Sequence, residues 1–384
     1  MVREPSADRS WRGSGPAPDE RRGGRITVSS LGGGRSASGV QDPGRSIRAK
    51  RWSSRIGPDL RLAAAPGEDL QAALRSRQLW GELAAEAGFR CAATGSMHLA
   101  YADDEWQVLT EFAGRSELSS LRMLTPEEVL AQQPCIVPGG LRGALFSPHE
   151  ANVDPGMAVA ALLGWLRQHG ADVRVGRAVV GVESGRARLA DGAAVLADRV
   201  VVCAGDDFAS LLPGAFLASG LVRCRLQMMA LGPQPEGFVL GPMLAAGLTL
   251  LHYEGFGACA SLPTLRERLG RECAPLLARG IHVMVSQGDD GRLIVGDSHD
   301  YTPPFAPGLD ESTESLIRDY LATYLLPPEA GVVKRWSGTY AKCGDGASIF
   351  RSQPLPGVEV VTGVGGSGMT RSLAIGEQTV AAWP

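Results

Sequence analysis

Apolar residues recur at helical spacing in several stretches of the chain. Residues 68–88 place leucine, alanine and tryptophan on one face and end in glycine, which predicts an amphipathic helix. Residues 124–134 begin with a threonine cap, a proline and a glutamate three positions after the cap, so they predict a second helix. Residues 154–170 begin with Asp-Pro and end in glycine, which predicts a third. Further helices are expected at residues 103–113, at 265–279, at 312–325 with Ser312 as the cap, and at 372–383.

Apolar runs between these helices predict strands. Residues 199–204 are a nearly unbroken β-branched run, which is typical of an interior strand in a mostly parallel sheet, and residues 358–362 form a second buried strand. Residues 178–197 predict short strands joined by glycine turns. The remaining strand predictions, with antiparallel pairing favoured after residue 219, are residues 91–101, 141–146, 171–176, 221–231, 248–253, 282–286 and 292–296.

The order of these segments predicts an α/β fold, α+β overall, in which one lobe is interrupted by another. The first lobe consists of residues 66–90, 146–218 and 331–384. The second is an inserted antiparallel-sheet lobe of residues 91–145 and 219–330. A chain of 384 residues is long enough for both.

The first 60 residues differ in composition from the rest. They hold 11 Arg and 1 Lys against 6 acidic residues, a net charge of +6, whereas the whole chain carries −3. Only 15 of them are apolar, so residues 1–65 are expected to be an atypical, disordered segment. A basic arm for nucleic acid or a membrane is the alternative, but the arginines are neither clustered nor interleaved with aromatic residues.

Composition also excludes several classes of protein. The nearly balanced overall charge disfavours a nucleic-acid-binding protein, and no apolar run reaches the ~18 residues that a membrane-spanning helix requires. Seven cysteines without paired spacing predict reduced thiols and a cytoplasmic location. The six histidines show neither HxH nor HExxH spacing, so no metal site is expected.

Two glycine-containing turns that follow buried strands are candidate ligand sites. In residues 363–369 the turn leads into a helix, so backbone N–H groups and the helix N-terminus could bind an anion. In residues 197–212 the strand ends at Ala204 and Gly205, which permits a cofactor to approach the backbone at the carboxyl edge of a sheet. For each turn, simple strand–helix packing is the alternative.

Five segments, in this order, resemble the FAD-dependent oxidoreductases of the D-amino-acid oxidase and glycine oxidase type. They are VDPGMAVAALLGWLRQHGADVRV, RAVVGVE, ADRVVVCAGDD, RWSGTY and VVTGVGGSGMTRSLAIGE. The resemblance implies FAD as the cofactor, a Rossmann-like FAD-binding lobe and a substrate-binding lobe with the boundaries given above. It implies FAD contacts at Val179, Ala204, Gly205, Gly365, Gly366, Ser367, Gly368, Met369 and Thr370.

The N-terminus departs from this family pattern. Such proteins begin with a strand, a G-x-G-x-x-G turn and a helix that hold the FAD pyrophosphate. Here the nearest glycine cluster, Gly32–Gly34, follows Ile26–Val28, but no apolar-periodic helix comes after it. We therefore expect the N-terminal dinucleotide-binding unit to be missing or replaced, through a shifted frame or a wrongly chosen start, and FAD binding to be weakened.

The substrate side departs as well. Where such oxidases commonly place an arginine that clamps a substrate carboxylate, this chain has Tyr340, followed by Lys342. The pattern resembles a subgroup associated with phosphonate breakdown, whose proposed substrates are aminophosphonates. Tyr340 and Lys342 are the candidate substrate residues, with Lys342 or Arg371 attracting the phosphonate, and no catalytic residue is assigned. Lys342 as a solvated loop charge is the alternative, and residues 296–301 either orient a substrate amine or form a turn.

The resemblance implies oxidative deamination of a small amine. A hydride passes to the flavin, the imine hydrolyses, and O₂ or another acceptor takes the electrons. An oxidase of glycine, sarcosine or a D-amino acid is one alternative. A flavin-free, non-catalytic remnant is the alternative from another class.

Overall fold

The structure is a computed structural model that describes residues 26–28 and 68–383. The predicted disorder of residues 1–65 and the predicted loss of a glycine turn after Val28 concern a segment that lies, apart from one strand, outside these described residues. The α-helices in the described part are α1 Glu68–Ala87, α2 Asp103–Arg115, α3 Pro126–Gln132, α4 Pro155–Gln168, α5 Leu248–His252, α6 Leu262–Glu272, α7 Ala274–Leu277, α8 Glu311–Ala322 and α9 Gly368–Ala381.

The strands of the described part form two larger and two smaller sheets. In chain order they are β1 Ile26–Val28, β2 Cys91–Ala92, β3 Ser96–Ala100, β4 Arg122–Leu124, β5 Gly143–Ser147, β6 Asn152–Val153, β7 Val179–Glu183, β8 Arg186–Leu189, β9 Ala194–Leu196, β10 Val200–Val202, β11 Leu221–Pro233, β12 Met243–Ala245, β13 Met284–Gln287, β14 Arg292–Gly296, β15 Val332–Cys343, β16 Phe350–Leu355 and β17 Val358–Thr362. The α/β fold class is confirmed.

The four-stranded sheet has the order β1-β10-β17-β16, and its first three strands are parallel. All three residues of β10 are buried, as predicted for an interior strand of a parallel sheet. Strand β1 pairs with it in the register Ile26 to Val200. The expectation that the N-terminal dinucleotide-binding unit is missing or replaced is therefore wrong for residues 26–28, because they pair with β10 as a parallel strand of this sheet. The absence of a dinucleotide-binding turn stays a prediction.

The eight-stranded sheet has the order β15-β11-β14-β13-β12-β3-β5-β4 and is antiparallel except between β12 and β3. Its longest strand pairing is between β11 and β15. This pairing runs from Leu221 opposite Cys343 to Leu231 opposite Val332. Two apolar clusters flank the sheet, one built around Phe112 and Phe256 and the other around Ile317. The strands β7, β8 and β9 form a separate small sheet, as the glycine turns predicted.

Helix boundaries show where the sequence pattern was sufficient. Thr125 makes the predicted capping box: Glu128 Oε2 accepts a hydrogen bond from the Thr125 amide at 2.8 Å, and Thr125 Oγ1 accepts from the Glu128 amide at 3.3 Å. The cap of α8, however, is Asp310 and not Ser312, because the Asp310 carboxylate accepts from the amides of Ser312 and Thr313.

Three further predictions are wrong. Residues 171–176 form no strand, since the chain turns there between α4 and β7. Residues 248–252 form helix α5 instead of a strand, an ambiguity that short apolar runs always carry. Helix α9 begins at Gly368, four residues before the predicted start, because the glycines continue into its first turn. Within the described residues, no helix is long and apolar enough to span a membrane.

Candidate active site

Two turns meet at the carboxyl edge of the parallel strands. Strand β10 ends at Val202 and is followed by Ala204 and Gly205, whereas β17 ends at Thr362 and is followed by the glycine-rich turn. The Thr362 hydroxyl donates a 2.6 Å hydrogen bond to the Gly205 carbonyl. The two glycine turns predicted from sequence therefore lie side by side, at the edge where parallel α/β sheets bind ligands.

Glycine is required in this turn for two separate reasons. Gly363 has a φ of +76°, and a Cβ there would lie 2.7 Å from Leu221 Cδ2, so a side chain meets both strain and a clash. Gly365 has a φ of +61°, which disfavours any β-branched residue. Gly205 in the neighbouring turn has a φ of +62°, and a Cβ there would meet nothing within 4 Å. The space beside Gly205 is open for a ligand.

The turn leads into the N-terminus of α9, a helix of 14 residues. Ser367 occupies the cap position, but its hydroxyl donates to the Val364 carbonyl at 2.8 Å and caps no amide of the helix. The first-turn N–H groups therefore have no side-chain acceptor at the cap and carry the positive end of the helix dipole. Trp80 of α1 fixes this end by donating to the Met369 carbonyl at 2.9 Å. Such a terminus can bind a negatively charged edge of a ligand.

Arg371 holds the turn in place, because its guanidinium is paired with groups of this chain. Its Nη1 donates to Asp69 Oδ1 at 2.6 Å, its Nη2 to the Ser348 carbonyl at 2.5 Å, and its Nε to Ser367 Oγ at 3.1 Å. Only 7% of its side chain is exposed. The sequence prediction that Arg371 attracts a phosphonate is therefore wrong, because its guanidinium is engaged by residues of α1 and of the loop before β16.

Strand β15 connects the eight-stranded sheet to the glycine-rich turn. Lys342 forms an antiparallel bridge with Val364, and its Cγ lies 3.6 Å from the position of a Cβ on Gly365. Tyr340, two residues earlier on the same strand, shares the sheet face of Lys342. The two candidate substrate residues are thus brought together, directly beside the turn.

Tyr340 is a buried, neutral phenol at the border of an apolar cluster. It pairs across the sheet with Cys224, and burial raises its pKa well above the usual value. Tyr301 contacts it through a side-chain hydrogen bond, and burial also raises the pKa of Tyr301. The Tyr340 ring lies 6.4 Å from that of His299, centroid to centroid. The phenol can therefore orient a polar group by hydrogen bonding but cannot clamp a carboxylate by charge.

Beyond Tyr340, three histidines and one carboxylate gather. The ring centroids of His252 and His282 lie 3.8 Å apart, and those of His252 and His299 lie 4.6 Å apart. Asp297 Oδ1 is 3.3 Å from His282 Nε2, and Asp297 Oδ2 is 3.8 Å from His299 Nε2. We call these four residues the histidine–aspartate cluster.

Sequence reasoning missed this cluster. Its members come from the end of α5, the start of the β13 hairpin and the end of β14, with no spacing motif between them. The sequence pattern predicts a strand around His252, so it gives no indication that His252 lies beside His282. The one available signal is residues 296–301 (GDSHDY), which carry Asp297 and His299 and for which the sequence analysis considers the orientation of a substrate amine.

The described residues fit the flavin end of FAD. Open space beside Gly205, positive φ at Gly365 and amides without a side-chain cap at the start of α9 are features that a bound, negatively charged ring edge requires. Val179 packs against the apolar cluster that contains Val202 and Ala204, so it borders the same edge. The residues that would follow β1 and hold a pyrophosphate lie outside the described part of the chain.

Open parallel α/β sheets bind nucleotide cofactors at a carboxyl edge of this kind. The family model described as "DAO: FAD dependent oxidoreductase" matches residues 34–382, and the chain belongs to this family. It is an FAD-dependent oxidoreductase, and its cofactor is FAD.

Solved structures share this fold at low sequence identity. Glycine oxidase from Bacillus cereus ATCC 14579 is 16% identical with a TM-score of 0.68, over 93% of this chain and 89% of that one. L-proline dehydrogenase from P. horikoshii is 19% identical with a TM-score of 0.65, over 84% and 80%. Iminodiacetate oxidase from Chelativorans sp. BNC1 is 17% identical with a TM-score of 0.62, over 86% of each chain. No curated protein sequence matches the chain.

Proposed function

We propose that this FAD-dependent oxidoreductase oxidises a small amine at the sheet face lined by Tyr340 and Lys342. The observation that carries the proposal is the bridge between Lys342 and Val364, because it joins this face to the glycine-rich turn. A substrate on Tyr340 would lie two residues along β15 from the proposed flavin edge, a distance of roughly 7 Å. O₂ or another acceptor would take the electrons.

The proposed FAD contacts are those that the family resemblance implied. They are Val179, Ala204, Gly205, Gly365, Gly366, Ser367, Gly368, Met369 and Thr370. FAD, when bound, supplies hydride acceptance. The amides at the start of α9 would stabilise the negative charge that hydride transfer places on the bound ring, because they are oriented before the reaction begins.

The remaining work of this chain is to align the substrate. Tyr340 would orient the substrate through its neutral hydroxyl, and Lys342 would attract an anionic group. Such alignment alone can lower the activation free energy by several kcal/mol, roughly 7 or more in favourable cases. We assign no acid–base residue to the reaction.

We propose an aminophosphonate as the substrate class. Tyr340 stands where a carboxylate-clamping arginine is expected, so the chain lacks that bidentate fork at this position, while the Lys342 ammonium suits a compact dianion as a point charge. The second candidate is an amino acid such as glycine or sarcosine. It is favoured by the structural similarity to glycine oxidase and iminodiacetate oxidase.

Two further parts of the proposal concern organisation and location. We assign residues 66–90, 146–218 and 331–384 to the FAD-binding lobe and residues 91–145 and 219–330 to the substrate-binding lobe. A cytoplasmic location is supported by the seven cysteines, all of which are free thiols, and burial raises the pKa of Cys203 to about 11, which leaves it unreactive.

The proposal is tested with the full chain, supplied with FAD, and a matched set of amines. Aminomethylphosphonate, 2-aminoethylphosphonate, glycine and sarcosine are assayed with O₂ and with an artificial electron acceptor. We expect the aminophosphonates to give the highest kcat/KM. Preference for glycine or sarcosine would replace the substrate class and keep the reaction. A chain that binds no FAD would support the non-catalytic alternative.

A further inference from the structure

We propose that the histidine–aspartate cluster binds one divalent transition-metal ion through His252, His282 and His299. One ligating atom from each of these three residues lies within 4.8 Å of the other two. The three residues are separated by 30 and 17 positions in the chain, so the fold alone brings them together. Nothing in the proposed amine oxidation requires this arrangement.

The tautomer of His299 favours a ligand role. Its Nδ1 lies 2.9 Å from the Gly280 carbonyl oxygen, and since a carbonyl only accepts, Nδ1 must carry the hydrogen. A neutral His299 therefore presents the lone pair of Nε2 to the interior of the cluster. A backbone carbonyl that holds the other ring nitrogen is the usual outer contact of a metal-binding histidine.

Asp297 places a carboxylate beside two of the imidazoles. Its two carboxylate oxygens face His282 Nε2 at 3.3 Å and His299 Nε2 at 3.8 Å. A carboxylate and the lone pair of His299 Nε2 repel each other unless a proton or a cation lies between them. Both histidine side chains are at most 5% exposed, so water screens this repulsion poorly. A metal ion would satisfy the carboxylate and the imidazoles together.

The donor set indicates the class of ion. Three imidazoles suit Zn²⁺, Co²⁺ or Ni²⁺, whereas Mg²⁺ and Ca²⁺ prefer oxygen ligands. Ligands held 2.0–2.1 Å from a tetrahedral Zn²⁺ lie roughly 3.4 Å apart, so side-chain rotation would have to bring the ligating atoms, now within 4.8 Å of one another, closer by up to about 1.4 Å. His282 and His299 are buried and His252 is the exposed member, which gives the ion a route of entry.

A metal ion in this cluster would lie close to the proposed substrate site at Tyr340, an inference that rests on the proposed function. Three histidine ligands commonly leave a coordination position for water or substrate. His299 lies 6.4 Å from Tyr340 between ring centroids, so that position would be near the anionic group of a bound substrate.

Metal binding is measured on the full chain after chelator treatment, by equilibrium dialysis against ZnCl₂ with elemental analysis and by the visible absorption of added Co²⁺. We expect one Zn²⁺ per chain and a Co²⁺ spectrum typical of tetrahedral nitrogen and oxygen ligands. His282→Ala and His299→Ala should weaken Zn²⁺ binding at least about a hundredfold, and Asp297→Asn by about tenfold to a hundredfold. His169→Ala is the matched control, because this exposed residue caps α4 far along the chain from the cluster.

Each outcome of the metal-binding experiment supports or overturns the proposed site. If His282→Ala fails to fold by circular dichroism, His252→Gln replaces it, since His252 is the exposed member of the cluster, and the same loss is expected. Failure of the wild-type chain to bind Zn²⁺ or Co²⁺ would overturn the metal site. Equal binding by the wild type and the cluster variants would assign the ion to another place. These readouts do not depend on flavin or on turnover.

Discussion

The carboxyl edge of the parallel sheet is formed by backbone groups, whereas the face of the eight-stranded sheet that carries Tyr340 is formed by side chains. The edge uses backbone: Gly363 and Gly365 at positive φ, and helix amides that no side chain caps. The face uses side chains: Tyr340, Lys342 and the histidine–aspartate cluster. Strand β15 joins the two through the bridge from Lys342 to Val364. The edge therefore suits a cofactor common to many reactions, and the face is where we propose that the substrate is selected.

The largest change in FAD affinity is expected for a substitution in the glycine-rich turn. Gly365→Val should weaken FAD binding by about a thousandfold, or about 4 kcal/mol, because a β-branched residue cannot adopt a φ of +61° and two to three amide hydrogen bonds to the cofactor would be lost together. The measurement is the FAD dissociation constant from flavin fluorescence. Gly376→Ala, in the same helix α9, is the control, since a Cβ there meets nothing within 4 Å.

Equal FAD affinity in the Gly365 and Gly376 variants would remove the turn from the cofactor site. Weak FAD binding by the wild-type chain itself would instead support the expectation that the N-terminal turn is missing.

The next effect concerns the ion pair that holds the edge. Arg371→Met should lower the free energy of unfolding by about 3 kcal/mol, because it leaves the partly buried Asp69 carboxylate without its buried partner. Arg75→Met is a matched control on the same pair of helices: its partner Glu377 and its own side chain are 47% and 38% exposed, so a loss below about 1 kcal/mol is expected. Urea unfolding measures both. Similar losses in the two variants would contradict the assigned role of Arg371.

A pH effect of similar size is expected in the eight-stranded sheet. Burial lowers the pKa of His98 from 6.5 to about 4. Between these pH values the unfolded chain binds a proton at His98 that the folded chain does not, so stability should fall by up to about 3 kcal/mol as the pH decreases from 6.5 to 4. The free energy of unfolding of the wild type, measured with urea, should therefore decrease relative to that of His98→Leu as the pH falls over this range. A constant difference between the two proteins would contradict the prediction.

The smallest effect is expected on kcat/KM, for a substitution of Tyr340 on the proposed substrate face. Tyr340→Phe should lower kcat/KM for the preferred amine by about tenfold, or about 1.4 kcal/mol, through the loss of one hydrogen bond, while FAD affinity stays the same. Tyr101→Phe is the control, because its hydroxyl donates to the Val137 carbonyl and contacts no residue of the site. A parallel loss of FAD affinity in Tyr340→Phe would show a structural role instead.

The two regions also differ in how well the sequence predicted them. The edge is contiguous: a buried strand, a glycine turn and a helix follow each other from Val358 to Ala381, so local pattern was sufficient. Even the neighbouring turn at Gly205 was found, because its strand has the composition of an interior strand. Arg371 was misjudged, since a sequence does not show that Asp69, about 300 residues away, engages it.

The face is assembled from distant segments. His252, His282 and Asp297 meet only after α5, β13 and β14 have packed, and no spacing rule connects them. The error at residues 248–252 mattered most, because a strand would have directed alternate side chains to opposite faces, whereas the helix places His252 against His282.

The most direct test of the account is the anaerobic reduction of bound flavin, since it requires the edge and the face to act as one site. The FAD-loaded chain is mixed without oxygen with aminomethylphosphonate, and the visible flavin absorbance is followed. We predict complete bleaching in the wild type and slower bleaching in Tyr340→Phe at equal FAD content. Bound FAD that stays oxidised with the aminophosphonates, glycine and sarcosine alike would contradict the claim that these two regions form an amine-oxidising site.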